Sequence, residues 1–154
     1  MRLPSLVLLC SLFVSTAAFA TPSLELEVSG GAHGWARPDG ATFGGRVGLD
    51  LFDWFTPGVR AMTLDKEAWA LLGDLRAHTP LRLFQLNGGV SIGFALAKMD
   101  PAVDAQRISP YLIGDIGVQL NFWRMWVGFN VGGSPFDQRW LGMLSLGIAP
   151  FGRD

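Results

Sequence analysis

Apolar residues alternate with small or polar residues along most of the chain, and the clearest example is residues 84–96. The even-numbered positions there are Phe, Leu, Gly, Val, Ile, Phe and Leu, whereas the odd-numbered positions are Gln, Asn, Gly, Ser, Gly and Ala. A period of two places these two sets on opposite faces of one β-strand. A helix would mix the sets and would carry interior glycines at about 1 kcal/mol each. The run is also long enough for a tilted transmembrane strand, which needs roughly 9–11 residues.

The same alternation recurs and predicts eight antiparallel strands. The predicted strands cover residues 23–31, 42–51, 58–64, 68–76, 84–96, 111–120, 125–132 and 139–149. The connections after the second, fourth and sixth strands are tight, whereas those after the first, fifth and seventh are longer and polar; the third connection is short as well. Outer-membrane barrels have short periplasmic turns and longer outer loops. The pattern therefore predicts an all-β, eight-stranded, antiparallel up-and-down transmembrane β-barrel with its N-terminus in the periplasm.

The charged residues of the predicted strands lie on the polar face. A charged side chain on the lipid-facing surface costs about 2–4 kcal/mol near the membrane midplane, so we expect this face to line the lumen. The predicted interior charges are Glu25, Glu27, Asp50, Asp74, Asp115, Arg46, Arg60 and Arg76. Because buried charges must be paired, we interpret this set as an internal ion-pair network and not as an active site.

A soluble lipocalin-like barrel is the alternative, because it would turn the apolar face inward around a ligand. The polar face is rich in glycine and alanine, which suits a narrow lumen better than a solvated surface. Lysine occurs only at Lys66 and Lys98, both near predicted loops, although soluble surfaces usually mix many charges of both signs. These features favour the membrane orientation.

Aromatic residues fall at the ends of the predicted strands. The predicted periplasmic girdle is Phe52, Trp54, Phe55, Phe84, Phe122 and Trp123, and the predicted outer girdle is Trp35, Phe43, Trp69, Tyr111, Phe136 and Trp140. Two such girdles are typical of membrane barrels, since amphipathic rings prefer the lipid–water boundaries.

Composition agrees with this interpretation. Charged residues make up only 16% of the 154 residues, against about 25% in an ordinary soluble domain. No apolar run of about 18 residues occurs outside the N-terminus, which argues against a helical membrane protein. The net charge is −1 without a Lys/Arg cluster, so nothing indicates a nucleic-acid partner.

The first 20 residues are predicted to be a cleaved signal peptide, followed by one barrel domain over residues 21–154. Arg2 supplies a positive start, residues 6–14 are apolar, and residues 18–20 (Ala-Phe-Ala) form a small-x-small cleavage site. The only cysteine, Cys10, lies in this segment after Leu9, where a lipoprotein would usually carry a small residue. We therefore expect neither lipidation nor disulfides in the mature chain.

Across residues 23–151 the pattern resembles the small eight-stranded outer-membrane barrels, the group of outer-membrane proteins A and X. This resemblance implies an envelope protein without catalysis, in contact with outer-membrane lipids, whose outer loops are available to partners that the sequence does not identify. It also implies recognition by the barrel assembly machinery through a C-terminal aromatic residue. Here Phe151 is followed by three more residues, so that feature is displaced.

The two histidines are candidate site residues. His33 is predicted in the first outer loop and His78 in a periplasmic turn, so they cannot share a metal, and each is expected to be solvated. A lipid-modifying enzyme at the rim would have to use His33 with Asp39 or Ser134, and nothing in their spacing enforces that set.

Two further motifs have simple structural interpretations. Asp100 and Asp104 in a predicted loop over residues 98–109 are too few for a calcium cage. The glycine pairs at residues 44–45 and 88–89 lack the Lys-Ser/Thr and helix of a phosphate loop, so they indicate strand kinks or close approach of side chains. We thus expect no catalytic, cofactor or metal site. The predicted function is a non-enzymatic structural or interaction protein of the outer membrane with a lumen plugged by paired charges; a small pore, a rim enzyme and a soluble binding barrel are the alternatives.

Overall fold

The computed structural model describes residues 22–34, 38–52, 54–65, 68–79, 81, 83–100, 105–136 and 138–151. The predicted signal peptide with Cys10, and also Trp35 and Asp104, lie outside these residues. Within the described part of the chain, no helix is long and apolar enough to cross a membrane.

The described residues form eight β-strands. These are β1 (Ser23–Gly34), β2 (Pro38–Asp50), β3 (Phe55–Asp65), β4 (Ala68–His78), β5 (Phe84–Asp100), β6 (Ala105–Phe122), β7 (Met125–Gly133) and β8 (Trp140–Phe151). Each strand pairs antiparallel with the next, and β1 pairs with β8 to close the sheet into a barrel. The predicted up-and-down topology is confirmed. We call the end where β1 begins and β8 ends the terminal rim, and the opposite end the distal rim.

Several strands extend further towards the distal rim than the alternation predicts. The predicted polar loop over residues 98–109 is wrong, because β5 continues to Asp100 and β6 begins at Ala105. Pairing such as Ala97 with Arg107 continues the ladder there. The part of a strand pair that lies outside the hydrocarbon region of a membrane can be polar on both faces. The hydrophobic alternation therefore ends before the backbone pairing ends.

The faces of the strands are as predicted. At the centre of β5, Val90 and Ile92 point outward and are 51% and 66% exposed, whereas Ser91 between them is fully buried. The same alternation around the barrel leaves a continuous belt of large apolar side chains on the outside. A monomeric soluble protein rarely carries an apolar surface of that extent. The inverted, lipocalin-like orientation is therefore wrong.

The interior has two layers of different chemistry. An apolar layer in the distal half consists of Met62, Ala70, Leu72, Ala95, Tyr111, Ile113, Leu141 and Met143. An ionic layer in the middle and the terminal half consists of the charged residues described below. The sequence indicated inward positions for most of these residues but not their grouping. Tyr111 was predicted in the outer girdle; it instead faces the interior and is 7% exposed.

Candidate functional site

The ionic layer of the lumen is the largest cluster of polar chemistry in the described structure, and Asp74 of β4 is its centre. One Asp74 oxygen accepts a hydrogen bond from Nε of Arg46. The other oxygen accepts from Oγ of Ser91 at 2.6 Å and lies 3.2 Å from Nη2 of Arg60. A single buried carboxylate thereby joins β2, β3 and β5 to β4.

The two arginines that contact Asp74 each reach a second acid. Nη1 of Arg46 lies 3.3 Å from Oε2 of Glu25, and Nη2 of Arg46 donates to the backbone carbonyl of Thr56 at 2.8 Å. Arg60 donates through Nη1 to Oδ2 of Asp115 at 3.0 Å. These pairs run from β1 across to β6, so they cross the lumen and do not merely follow neighbouring strands.

A third arginine completes the network. Arg76 of β4 donates through Nη1 to Oε2 of Glu27 at 2.7 Å. All three arginines are 3–4% exposed, and their four acid partners are similarly buried. The predicted internal ion-pair network is therefore present in the structure.

A histidine lies near the terminal rim beside this network. His78 Nε2 lies 3.3 Å from Oγ1 of Thr56 and 3.9 Å from Oδ1 of Asp50. The side chains of His78 and Asp50 are only 6% and 7% exposed. The expectation of a solvated turn residue was wrong, because His78 is the last residue of β4 and faces the lumen.

Glycine makes room for the largest interior side chains. A Cβ on Gly48 would stand 2.6 Å from Nη1 of Arg46, so the guanidinium of Arg46 lies over this glycine of its own strand. A Cβ on Gly147 would overlap the ring of Trp126, which is 2% exposed inside the barrel. At the predicted glycine pairs, Gly44 and Gly89 likewise lie under the side chains of Ser29 and Asp115. These contacts come from the directly paired neighbouring strands and not from across the barrel, and Gly45 and Gly88 have no neighbour closer than 3.5 Å to an added Cβ.

The three residues that a rim enzyme would use lie in separate elements, and the described contacts do not join them into a catalytic set. His33 is not in a loop; it is in β1, 2% exposed, with its ring against Gly40 of β2. Ser134 follows β7 and is buried, and its Oγ accepts a hydrogen bond from the Phe136 backbone N–H at 3.3 Å. Asp39 lies in β2, and the contacts of its side chain are outside the described structure. The expectation of a solvated His33 was wrong, because β1 extends beyond the apolar alternation.

Metal chemistry has no candidate among the described residues, where no group of three His, Cys, Asp or Glu side chains is placed to hold an ion. Asp100 is the last residue of β5 and not part of a loop.

The outer surface carries aromatic residues at both rims. At the terminal rim, Trp123 is 85% exposed, and Phe52 stacks on Trp54 with ring centroids 5.9 Å apart. Near the distal rim, Phe43, Trp69 and Phe136 are exposed. The belt between these rims is apolar. Membrane barrels likewise have an apolar outer band between two aromatic girdles.

A closed eight-stranded barrel with an apolar outside and a charged, filled inside has the fold of the small outer-membrane β-barrels. No family model matches the sequence, and no curated protein matches it. Solved structures do match over most of the chain. The N-terminal β-barrel domain of Pseudomonas aeruginosa OprF is 17% identical, with a TM-score of 0.62 over 82% of this chain and 96% of that chain.

Two further structures are similar. Neisserial surface protein A (NspA) is 12% identical, with a TM-score of 0.58 over 84% of this chain and 97% of that chain. Ail, the attachment invasion locus protein of Yersinia pestis, is 12% identical, with a TM-score of 0.50 over 85% of this chain and 97% of that chain. At these identities the likeness is one of fold, and it agrees with the predicted resemblance to small outer-membrane barrels.

Proposed function

We propose that this protein is an integral outer-membrane β-barrel with a structural or interaction role in the cell envelope, exported by a cleaved signal peptide. The observation that carries the proposal is the outer belt, in which side chains such as Val90, Ile92, Phe94 and Leu144 are 51–66% exposed. Hydrocarbon is the solvent that suits such a belt, and a closed barrel satisfies the backbone hydrogen bonds that lipid cannot. Envelope proteins among the solved structures with the same fold support this assignment.

The lumen is proposed to be closed by packed side chains, including the ion pairs around Asp74, and to carry no catalytic function. Eight strands enclose a space that side chains can just fill. The burial of Arg46, Arg60 and Arg76 at 3–4% exposure supports a filled interior. His33, the base that a rim enzyme would need, is 2% exposed and packs with its ring against Gly40.

The interaction role is supported by the distal part of β6. Pairing with β7 covers only the residues from Gly114 to Phe122, whereas pairing with β5 continues up to Ala105. Among the described strands, residues 105–110 of β6 thus pair with β5 alone, and Arg107, Ile108 and Pro110 are exposed there. A free strand edge can accept the backbone of a partner, and a proline restricts where that pairing can occur.

Outer-membrane lipids and the barrel assembly machinery are the proposed partners. Phe151 is the last residue of β8, so an aromatic residue ends the final strand although it does not end the chain. Truncation after Phe151 and the substitution Phe151→Ala separate these two features. We expect the truncated chain to assemble normally and the F151A chain to assemble poorly, as measured by the heat-modifiable fraction in the outer membrane.

Cell fractionation tests the main proposal. We expect the protein in the outer-membrane fraction, extracted only by detergent. In unboiled samples it should migrate as a compact band, which changes mobility on boiling because the closed barrel resists mild detergent. Recovery in the aqueous fraction without detergent would contradict the proposal.

A further inference from the structure

A groove of about 570 Å³ interrupts the apolar belt on the outside of the barrel, where it crosses β8, β1, β2 and β3. Its volume lies within the range of about 300–1,000 Å³ that small-molecule sites have. Its walls are the outward-facing aliphatic side chains of Leu26, Val28, Val47, Val59, Leu146 and Ile148. The groove therefore lies on the face that we propose is in contact with lipid, and not in the lumen.

The strand register explains why the surface is recessed at this point. Val28 of β1 pairs with Leu146 on one side and with Gly45 of β2 on the other. Gly45 in turn pairs with Ala61 of β3, and Ala61 pairs with Leu71 of β4. Along this row the outward side chains decrease from leucine and valine to none, then increase through a methyl group to leucine. The result is a hollow with a large side chain on each side.

No charged side chain of the lining opens onto the groove. Glu27 and Arg46 also border it, but their side chains are 4% and 1% exposed and belong to the ion-pair network of the lumen. In hydrocarbon, apolar contact brings no hydrophobic gain, so close packing decides what binds. A flexible alkyl chain can follow the hollow, whereas the convex surface of another barrel would first touch the ridges of Val28 and Val47.

A cation lies beyond the terminal end of the groove. Pro150 follows Ile148 by two residues along β8, which is a rise of about 7 Å. Nη1 of Arg124 donates to the carbonyl oxygen of Pro150 at 3.4 Å, and the guanidinium lies 5.3 Å from the ring centroid of Trp123. Tryptophan prefers the lipid–water boundary, where phosphate groups lie, and arginine binds phosphate through charge-assisted hydrogen bonds.

We infer that the groove and Arg124 together bind one phospholipid molecule, with an acyl chain over Gly45 and the phosphate at Arg124. The glycerol part of a phospholipid joins phosphate to alkyl chain over a distance similar to that between Pro150 and Ile148. The inference rests on the proposed outer-membrane location and deepens it, because it gives one lipid of the leaflet at the terminal rim a fixed place on the barrel.

Substitutions at Gly45 and Arg124 separate the groove from the cation. Gly45→Leu fills the groove, and the strand can accept it because an added Cβ has no neighbour closer than 3.5 Å. Gly114→Leu is its control, since Gly114 has nothing within 4 Å of an added Cβ and β6 lies opposite β2 in the closed barrel. Arg124→Gln removes the charge but keeps an N–H donor for Pro150. Its control is Arg139→Gln, directly before the distal end of β8.

Native mass spectrometry of the folded, detergent-solubilised protein measures the lipid that stays bound. The probes are phosphatidylglycerol and a diacylglycerol that has the same acyl chains but no phosphate. We expect the unchanged protein to retain a single phosphatidylglycerol and to retain the diacylglycerol about fivefold less, which is the contribution expected of one arginine beside an anionic headgroup. Gly45→Leu should lose both lipids, and Arg124→Gln should lose only the preference for phosphate. Both control variants should behave as the unchanged protein does.

Three results would overturn the inference. The first is equal retention of phosphatidylglycerol by Gly45→Leu and the unchanged protein, because the lipid would then not lie in the groove. The second is equal retention of the two lipids by the unchanged protein, because Arg124 would then not bind phosphate. The third is a dimer that Gly45→Leu abolishes, because the groove would then hold a second copy of the chain.

The compact band of unboiled samples shows that each variant has folded. The test is also distinct from cell fractionation. A heat-modifiable barrel that is recovered in the outer membrane but retains no lipid would refute this site alone, whereas recovery in the aqueous fraction would refute the proposed function.

Discussion

The two halves of the lumen are filled by side chains of different chemistry. In the distal half, Leu72, Ile113 and Met143 pack as a small hydrophobic core. In the middle and the terminal half, the pairs Arg60–Asp115 and Arg46–Asp74 connect strands that are not neighbours, β3 with β6 and β2 with β4. The packing of the distal half depends on the volumes of its side chains, whereas that of the middle and terminal half depends on pairs of opposite charges.

This difference has an energetic consequence. A buried ion pair gains little over a hydrophobic pair, because desolvation offsets its attraction; removing one partner alone is costly. An apolar layer contributes through the transfer of its side chains from water and through close packing. We therefore expect the ionic half to select which strands face one another across the lumen and the apolar half to contribute more of the net stability.

The largest effect is expected at Asp74. Asp74→Ala leaves Arg46 and Arg60 without their shared acceptor, so the free energy of unfolding should fall by about 3–5 kcal/mol. Urea unfolding of the reconstituted protein, followed by the loss of the compact gel band, measures this change.

Asp74→Asn separates charge from shape. It keeps the volume of the side chain and one acceptor oxygen for Ser91, so a loss nearly as large as that of the alanine variant would assign the effect to charge. A loss below about 1 kcal/mol in both variants would show that water replaces the carboxylate and that the ionic half is not tightly coupled.

Leu72→Ala tests the apolar half. Truncating a fully buried leucine removes its contacts and leaves a cavity, which costs about 2–5 kcal/mol. The control is Leu71→Ala on the same strand, where the side chain is 49% exposed on the outside and leaves no enclosed cavity. Equal losses at the two positions, again by urea unfolding, would refute the assignment of Leu72 to a packed core.

A charged residue placed on the outer belt tests whether the belt faces lipid. Ile92→Arg places a guanidinium at the centre of β5 on the lipid-facing side and should cost about 2–4 kcal/mol. Leu83→Arg, beside the terminal rim, should cost only about 0–1 kcal/mol, because the headgroup region solvates the charge. The difference between the two variants in bilayers is the expected signature; its absence would mean that the belt does not face lipid.

The alternation of residue types was sufficient to predict the strands, their order and the faces they present. It placed Asp74, Arg46 and Arg60 in the lumen, because a charge on the lipid-facing side is too costly. It did not predict which acid meets which arginine, since that depends on register and on how side chains cross the lumen. It also missed the distal ends of β1, β5 and β6, where polar residues continue the ladder, and hence the burial of His33.

The apolar layer was missed for a related reason. A period-two pattern distinguishes the two faces of a strand but not the two halves of one face. In the predicted strand over residues 111–120, alternation from Asp115 puts Ile113 on the polar, inward face, whereas Tyr111 is predicted in a girdle because it lies at a strand end. Pairing between strands brings the residues of this layer together from distant parts of the sequence. Tyr111 pairs with Gly93 of β5, which in turn pairs with Leu72 of β4.

The smallest effect is expected where glycine admits a large side chain into the ionic half. Gly147→Ala would bring a Cβ onto the ring of Trp126, including an approach of 2.7 Å to Cη2, and the enclosed ring has little room to move. Overpacking of this kind costs about 1–3 kcal/mol. Gly114→Ala is the matched control, because that position faces outward with nothing within 4 Å of the added Cβ. The control should unfold at the same urea concentration as the unchanged protein, whereas Gly147→Ala should unfold earlier and shift the Trp126 contribution to near-ultraviolet circular dichroism. If both variants unfold alike, then the ring of Trp126 moves freely, and the ionic half is looser than the apolar half with which it shares the barrel.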